Sequence, residues 1–139
     1  MSTLCDYVVI QGDTRVALGD DPGLTVFEKT FRLTDPHQGD LAVLSLMVQG
    51  LTAATAPVDV KINNTTVGTI TPYHYAAISD QEEVASHVYN QTMAVGSSIL
   101  LDGDNEFQIE AVLLPGGGGS NAFDNYNVRT IALWYQRQV

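Results

Sequence analysis

Beyond Tyr89 the chain is a succession of short blocks with period-two hydrophobicity, separated by turn-forming residues. The segment Tyr89 to Ile99 is extended and runs into Asp102-Gly103-Asp104-Asn105, whose composition predicts a tight turn. Glu106-Phe107-Gln108-Ile109-Glu110-Ala111 then alternates polar and apolar positions, and Val112-Leu113-Leu114 continues the strand as an apolar run. A glycine-rich loop follows, and a last block runs from Asn127 to Tyr135. Side chains of a strand point alternately to its two faces, so such blocks bury one face of an antiparallel sheet and wet the other. A helix needs a period of 3.6, which these blocks do not offer.

The rest of the chain reads the same way. Tyr7 to Ile10 is a first short strand, followed by turns at Gly12-Asp13-Thr14 and Gly19-Asp20-Asp21-Pro22-Gly23. From Leu24 to Leu33 the aromatic side (Phe27, Phe31, with Leu33) is the expected core face. Leu41 to Val48 is apolar on both faces apart from Ser45, as expected of a central strand. Val58 to Ile62 and Val67 to Ile70 flank Asn63-Asn64, residues that tolerate the positive φ a two-residue hairpin turn requires. Ser79-Asp80-Gln81-Glu82 fits a capping box, so one short helix is expected near 79–88. Pro115 to Ser120 is a loop between two strands. These signals predict an all-β fold: a two-sheet antiparallel β-sandwich or jelly roll of about eight strands, spanning residues 1–139 as a single domain.

Charge narrows the partners. Sixteen acids against six bases give a net charge of -10 among 139 residues. Such a surface repels phosphate backbones and anionic lipid, so neither nucleic acid nor membrane insertion is expected. The single cysteine, Cys5, excludes an intrachain disulfide and is expected to be a partly buried thiol. The N-terminal residues lack a basic start and an apolar signal core, and no run reaches the length of a membrane span. Synthesis in the cytoplasm is the resulting expectation, with assembly into a released particle compatible with it.

The order of signals carries a resemblance. Val60-Lys61-Ile62-Asn63-Asn64 followed by Val67-Gly68-Thr69-Ile70 resembles the V-x-V-N-G-x-x-V-G-x-L hairpin of galactose-binding-like β-sandwiches. Leu100 to Ile109 resembles their L-x-x-G-x-N-x-I-x-I segment, and Asp124-Asn125-Tyr126-Asn127-Val128 with Ile131-Ala132-Leu133 resembles their final strand. The likeness runs from about Asp40 to the C-terminus. It implies a jelly-roll sandwich, glycan binding or an assembly role, and in some members a structural calcium.

His37, His74 and His87 are scattered, with no zinc-ligand spacing. No nucleophile elbow accompanies Gly96-Ser97-Ser98, and Glu106, Gln108 and Glu110 read as a solvated strand face, so no catalytic residue is named. Asp20, Asp21, Asp102 and Asp104 are the candidates should calcium bind; no other cofactor is expected. Glycan contact calls for aromatic rings with hydrogen-bonding groups, and Tyr73, His74, Tyr75, Tyr89, Asn121, Phe123 and Tyr126 supply them in loops or near strand ends. In the last strand Ile131, Leu133 and Tyr135 share one face, while Ala132 and Trp134, preceded by Thr130, make the other apolar too. A strand that is apolar on both sides invites an oligomer interface. The leading expectation is therefore a non-catalytic, self-associating structural or attachment subunit of a virion, phage-like particle or other surface assembly. A small lectin-like carbohydrate-binding domain is the alternative, and a hydrolase stands third.

Overall fold

The computed structural model describes residues 2–19, 23–51, 57–73, 87–113 and 123–139. The strands are β1 (Thr3–Gln11), β2 (Val16–Leu18), β3 (Val26–Leu33), β4 (Leu41–Gln49), β5 (Val58–Ile62), β6 (Thr65–Ile70), β7 (Val88–Gly96), β8 (Gly103–Glu110), β9 (Val112–Leu113), β10 (Phe123–Asp124) and β11 (Tyr126–Gln138). Eight of them have five residues or more, in agreement with the sandwich the alternation predicts. The helix expected near 79–88 falls on residues 79–86, outside the described residues, except at its end, where Val88 already begins β7. The loop at 115–120 also lies outside them.

One sheet has the order β1-β11-β4-β7, with β2 also pairing β11; the other has the order β3-β8-β5-β6; β9 and β10 form a small ribbon. Pairing is antiparallel throughout these ladders. The period-two pattern places Leu44, Leu46, Val48, Val128, Ile131 and Leu133 between the sheets from one side. Val60, Ile62, Phe107 and Ile109 meet them from the other. Phe27 packs edge-on against Phe107 with ring centroids 6.1 Å apart, as its place on the aromatic side of β3 predicts.

The Asn63-Asn64 turn has φ of 51° and 64°, the left-handed pair a right-twisted hairpin needs. The sequence does not disclose what Asn63 does next. Its side-chain amide donates to the Ile99 carbonyl (2.7 Å) and to Asn105 Oδ1 (2.8 Å), and its Oδ1 accepts from the Glu106 N–H (3.0 Å). The tight turn expected over residues 102–105 needs correction here. Strand β8 begins at Gly103 (φ 94°), and Asn105 sits buried inside it. Asn105 accepts from the Leu101 N–H and donates to the Leu101 and Gly103 carbonyls, closing the corner by its side chain. Ser97 to Ile99, expected as extended chain, form one turn of 3-10 helix with Ser97 buried.

In β11 the register slips between Arg129 and Ala132, where Thr130 adopts φ 51°. This β-bulge resets the alternation: Tyr126 and Val128 point inward before it, Ile131, Leu133 and Tyr135 after it. The Thr130 N–H donates to the Gly12 carbonyl (2.8 Å), and its hydroxyl donates to Asp13 Oδ1 (3.1 Å). Thr130 therefore does not continue the flat face formed by Ala132 and Trp134. Cys5, expected to be partly buried, is exposed on β1. Among the described residues no helix is long and apolar enough to cross a membrane.

Candidate functional site

The register brings the C-terminal ends of β4, β6 and β8 to the same end of the sandwich as the N-terminal ends of β5, β7 and β11. Gln49 pairs with both Val88 and Asn127, Val58 with Ile70, and Tyr126 with Leu18. Tyr73, Tyr89, Phe123 and Tyr126, widely separated along the chain, meet at this end. His74, Tyr75 and Asn121 lie outside the described residues.

On one side of the β4 terminus is a tier of rings. The Tyr73 N–H donates to the Leu51 carbonyl (2.8 Å), which fixes where its side chain starts. The ring stacks on Tyr89 with centroids 5.3 Å apart and on His87 at 5.7 Å. Tyr89 lies opposite Val48 on the inward side of β7, and its hydroxyl donates to the Thr71 carbonyl (2.9 Å). The Thr71 N–H in turn donates to Gln91 Oε1 (3.1 Å), so the segment carrying Tyr73 is tied to β7 through both backbone groups of one residue. His87, which the sequence shows only as an isolated histidine, joins the tier because it stands two residues before Tyr89 on the same strand face.

On the other side of β4 is an open, shallow cavity of about 310 Å³, lined by Arg15, Gln49, Gly50, Asn125, Tyr126 and Asn127 among others. Gly50 has φ 94°, and a Cβ there would meet the Asn125 carbonyl oxygen at 3.1 Å, so glycine lets the two loops close on each other. The lining offers a guanidinium, which only donates, and three amides, which both donate and accept. Arg15, Gln49 and Asn127 were not legible as site residues, because β2 joins β11 only through pairing distant in sequence. Tyr126 itself is buried, and its hydroxyl donates to the Glu110 carbonyl at 2.6 Å, so it shapes the cavity wall from within.

Burial raises the phenol pKa of both Tyr89 and Tyr126 well above the ordinary 10.0; the Asp124 carboxylate raises Tyr89 further, and Glu110 raises Tyr126. A phenol whose folded-state pKa is raised stabilises the fold below the unfolded pKa and loses that contribution as pH climbs past it. Unfolding free energy should thus fall above about pH 10, and two of the six tyrosines should resist ionisation until the chain unfolds. Absorbance titration at alkaline pH, run beside urea denaturation, checks this; six phenols titrating together in the folded state would contradict it.

Of the calcium candidates, only Asp102 and Asp104 lie among the described residues. Asp104 Oδ1 receives Arg32 at 2.8 Å, and Asp102 accepts from the Asp35 N–H at 3.0 Å, both at the end of the sandwich opposite the rings. Asp20 and Asp21 lie outside the described residues. Asp102 and Asp104 do not fit a cation that wants six to eight oxygens. Among the described residues no group of three or more His, Cys, Asp or Glu could hold a metal ion. The Arg32–Asp104 pair is solvent-exposed on both sides, and Asp104→Asn should change stability by less than about 1 kcal/mol in urea denaturation.

No protein family's profile matches the chain, and no curated protein matches it in sequence. Solved structures resemble it in fold. Wild-type BuGH86 in complex with neoagarooctaose is 12% identical with a TM-score of 0.57, over 99% of this chain and 20% of that one. Dimeric latent PorU from Porphyromonas gingivalis is 10% identical with a TM-score of 0.59, over 99% and 13%. A family 35 carbohydrate binding module from Clostridium thermocellum is 11% identical with a TM-score of 0.48, over 92% and 97%. The chain thus spans a fifth or less of the two longer proteins. At these identities the likeness defines a class of fold: this is an all-β jelly-roll sandwich.

Proposed function

We propose that this chain is a non-catalytic carbohydrate-binding domain that takes a neutral glycan at the ring end of the sandwich. The observation that carries the proposal is the pairing, across the end of β4, of an amide-lined cavity with the Tyr73–Tyr89–His87 tier. Sugars present both chemistries at once: hydroxyls that need fixed donors and acceptors, and C–H faces that pack on aromatic rings. The net charge of -10 disfavours acidic glycans, so a neutral one is assigned. The likeness of fold to a piece of BuGH86, a chain crystallised with neoagarooctaose, supports the reading without naming the sugar. This reverses the order of the two leading sequence expectations: the ring tier and the amide-lined depression support the lectin-like alternative, and the structural-subunit reading rests on a surface alone.

The test is calorimetric titration with a panel of neutral oligosaccharides. A saturable heat with at least one member is expected. In the double variant Gln49→Ala/Asn127→Ala affinity should fall tenfold or more, on the scale of two lost hydrogen bonds at about 1 kcal/mol each. Binding that the double variant leaves unchanged would refute this site, and no binding by any neutral sugar would refute the function.

A further inference from the structure

We propose that the chain pairs reversibly with a second copy of itself through the outer face of the β1-β11-β4-β7 sheet. The register builds one cross-strand row from Tyr7, Trp134, Val43 and Ala94, and the next from Val9, Ala132, Ser45 and Thr92. These side chains lie on the side of the sheet away from the core. Trp134 is 41% exposed, Tyr7 61%, Val9 55% and Leu41, farther along β4, 67%. Trp134 and Tyr7 lie side by side with ring centroids 6.5 Å apart and planes inclined by 32°, giving the face a low profile. The bulge at Thr130 and Arg129, opposite Met47, mark its margin.

Charge selects the occupant. Neither row contains a charged side chain, although the chain carries a net charge of -10. The outer face of the other sheet holds Glu28, Asp59, Asp104, Glu106 and Glu110, with Lys61 and Arg32 as its cations. Two copies meeting there would set carboxylate against carboxylate, and a cationic partner would be drawn there instead of to the neutral face. On the neutral face no carboxylate meets a carboxylate, so salt that screens the net charge of -10 should favour pairing, and a two-fold axis can lay the apolar Tyr7–Trp134–Val43–Ala94 row against its counterpart. Strands about 4.8 Å apart and residues about 3.3 Å apart make the face roughly 19 Å by 20 Å, on the order of 800 Å² for two copies. That lies below the roughly 1,200 Å² of a standard stable interface, so the dimer is concentration-dependent. It uses a surface separate from the ring end and stands whether or not a glycan binds there.

Sedimentation equilibrium across a range from about 5 μM to on the order of 0.5 mM tests it. The average mass of the native chain should rise from 15.0 kDa toward twice that value. Trp134 is the single tryptophan, so its emission should move to the blue over the same range. Val43 is exposed, so Val43→Glu should leave the circular dichroism spectrum and melting temperature in place and hold the chain monomeric; Lys61→Glu on the other sheet should leave association unchanged. A native chain monomeric at the highest concentration overturns the proposal, as does equal association by Val43→Glu. A Trp134 shift driven by an oligosaccharide in a monomeric chain also overturns it and assigns the face to a ligand.

Discussion

Replacing Asn105 by alanine should destabilise the fold by about 3–5 kcal/mol. Asn105 is 2% exposed, and its amide makes four hydrogen bonds: from the Leu101 N–H and from the Asn63 amide, and to the Leu101 and Gly103 carbonyls. Alanine removes the side chain but leaves the partners where they are. Each buried polar group left unpaired costs about 1–3 kcal/mol. The loss extends to Asn63, whose NH2 group would keep only the Ile99 carbonyl while its Oδ1 still accepts from the Glu106 N–H, so one of the three bonds that hold the hairpin turn is lost as well. Asn105→Asp should be comparably harmful, because a carboxylate would face two carbonyl oxygens where an amide N–H now donates. Urea denaturation measures both. A loss below about 1 kcal/mol for the alanine variant would show that the corner is held by backbone pairing alone.

The second large effect concerns binding. Tyr73→Ala should lower affinity for the neutral glycan by tenfold or more, equivalent to about 1.4 kcal/mol, which lies within the range for an aromatic packing contact. The Tyr73 ring lies against Tyr89 and His87 and carries none of the ladder hydrogen bonds, so the fold should survive its removal. Trp134→Ala, on the outer face of the sheet, serves as the contrast and should leave glycan affinity unchanged. Equal losses for both variants would move the binding surface to the sheet face. Unchanged affinity for Tyr73→Ala would remove the ring tier from the site.

What the sequence discloses follows from what is local. Period-two alternation in Glu106 to Glu110 and in Ile131 to Tyr135 is a property of neighbouring residues, and the buried faces emerge as read. Asn63-Asn64 is local in the same sense. The bulge at Thr130 is not: the residue is held by Gly12 and Asp13 at the far end of the chain, and threonine does not advertise a left-handed conformation. The role of Asn105 was hidden for the opposite reason. Asp102-Gly103-Asp104-Asn105 has the composition of a surface turn, and only the Asn63 turn and the 3-10 turn at Ser97 to Ile99, brought beside it by the fold, make one member a buried clamp. At the site, the aromatic residues were legible because rings are conspicuous and few. Arg15, Gln49 and Asn127 were not, since ordinary polar residues become a cavity lining only through the pairing of β2 and β4 with β11.

The most direct test of the account is a map of backbone amide shifts as the neutral oligosaccharide with the strongest calorimetric signal is added to the native chain. The account predicts saturable shifts at Gln49, Gly50, Tyr73, Tyr89 and Asn127, with Asp102 to Asn105 at the opposite end unmoved. Shifts gathered around Tyr7, Val43 and Trp134, or none at saturating sugar, would contradict it.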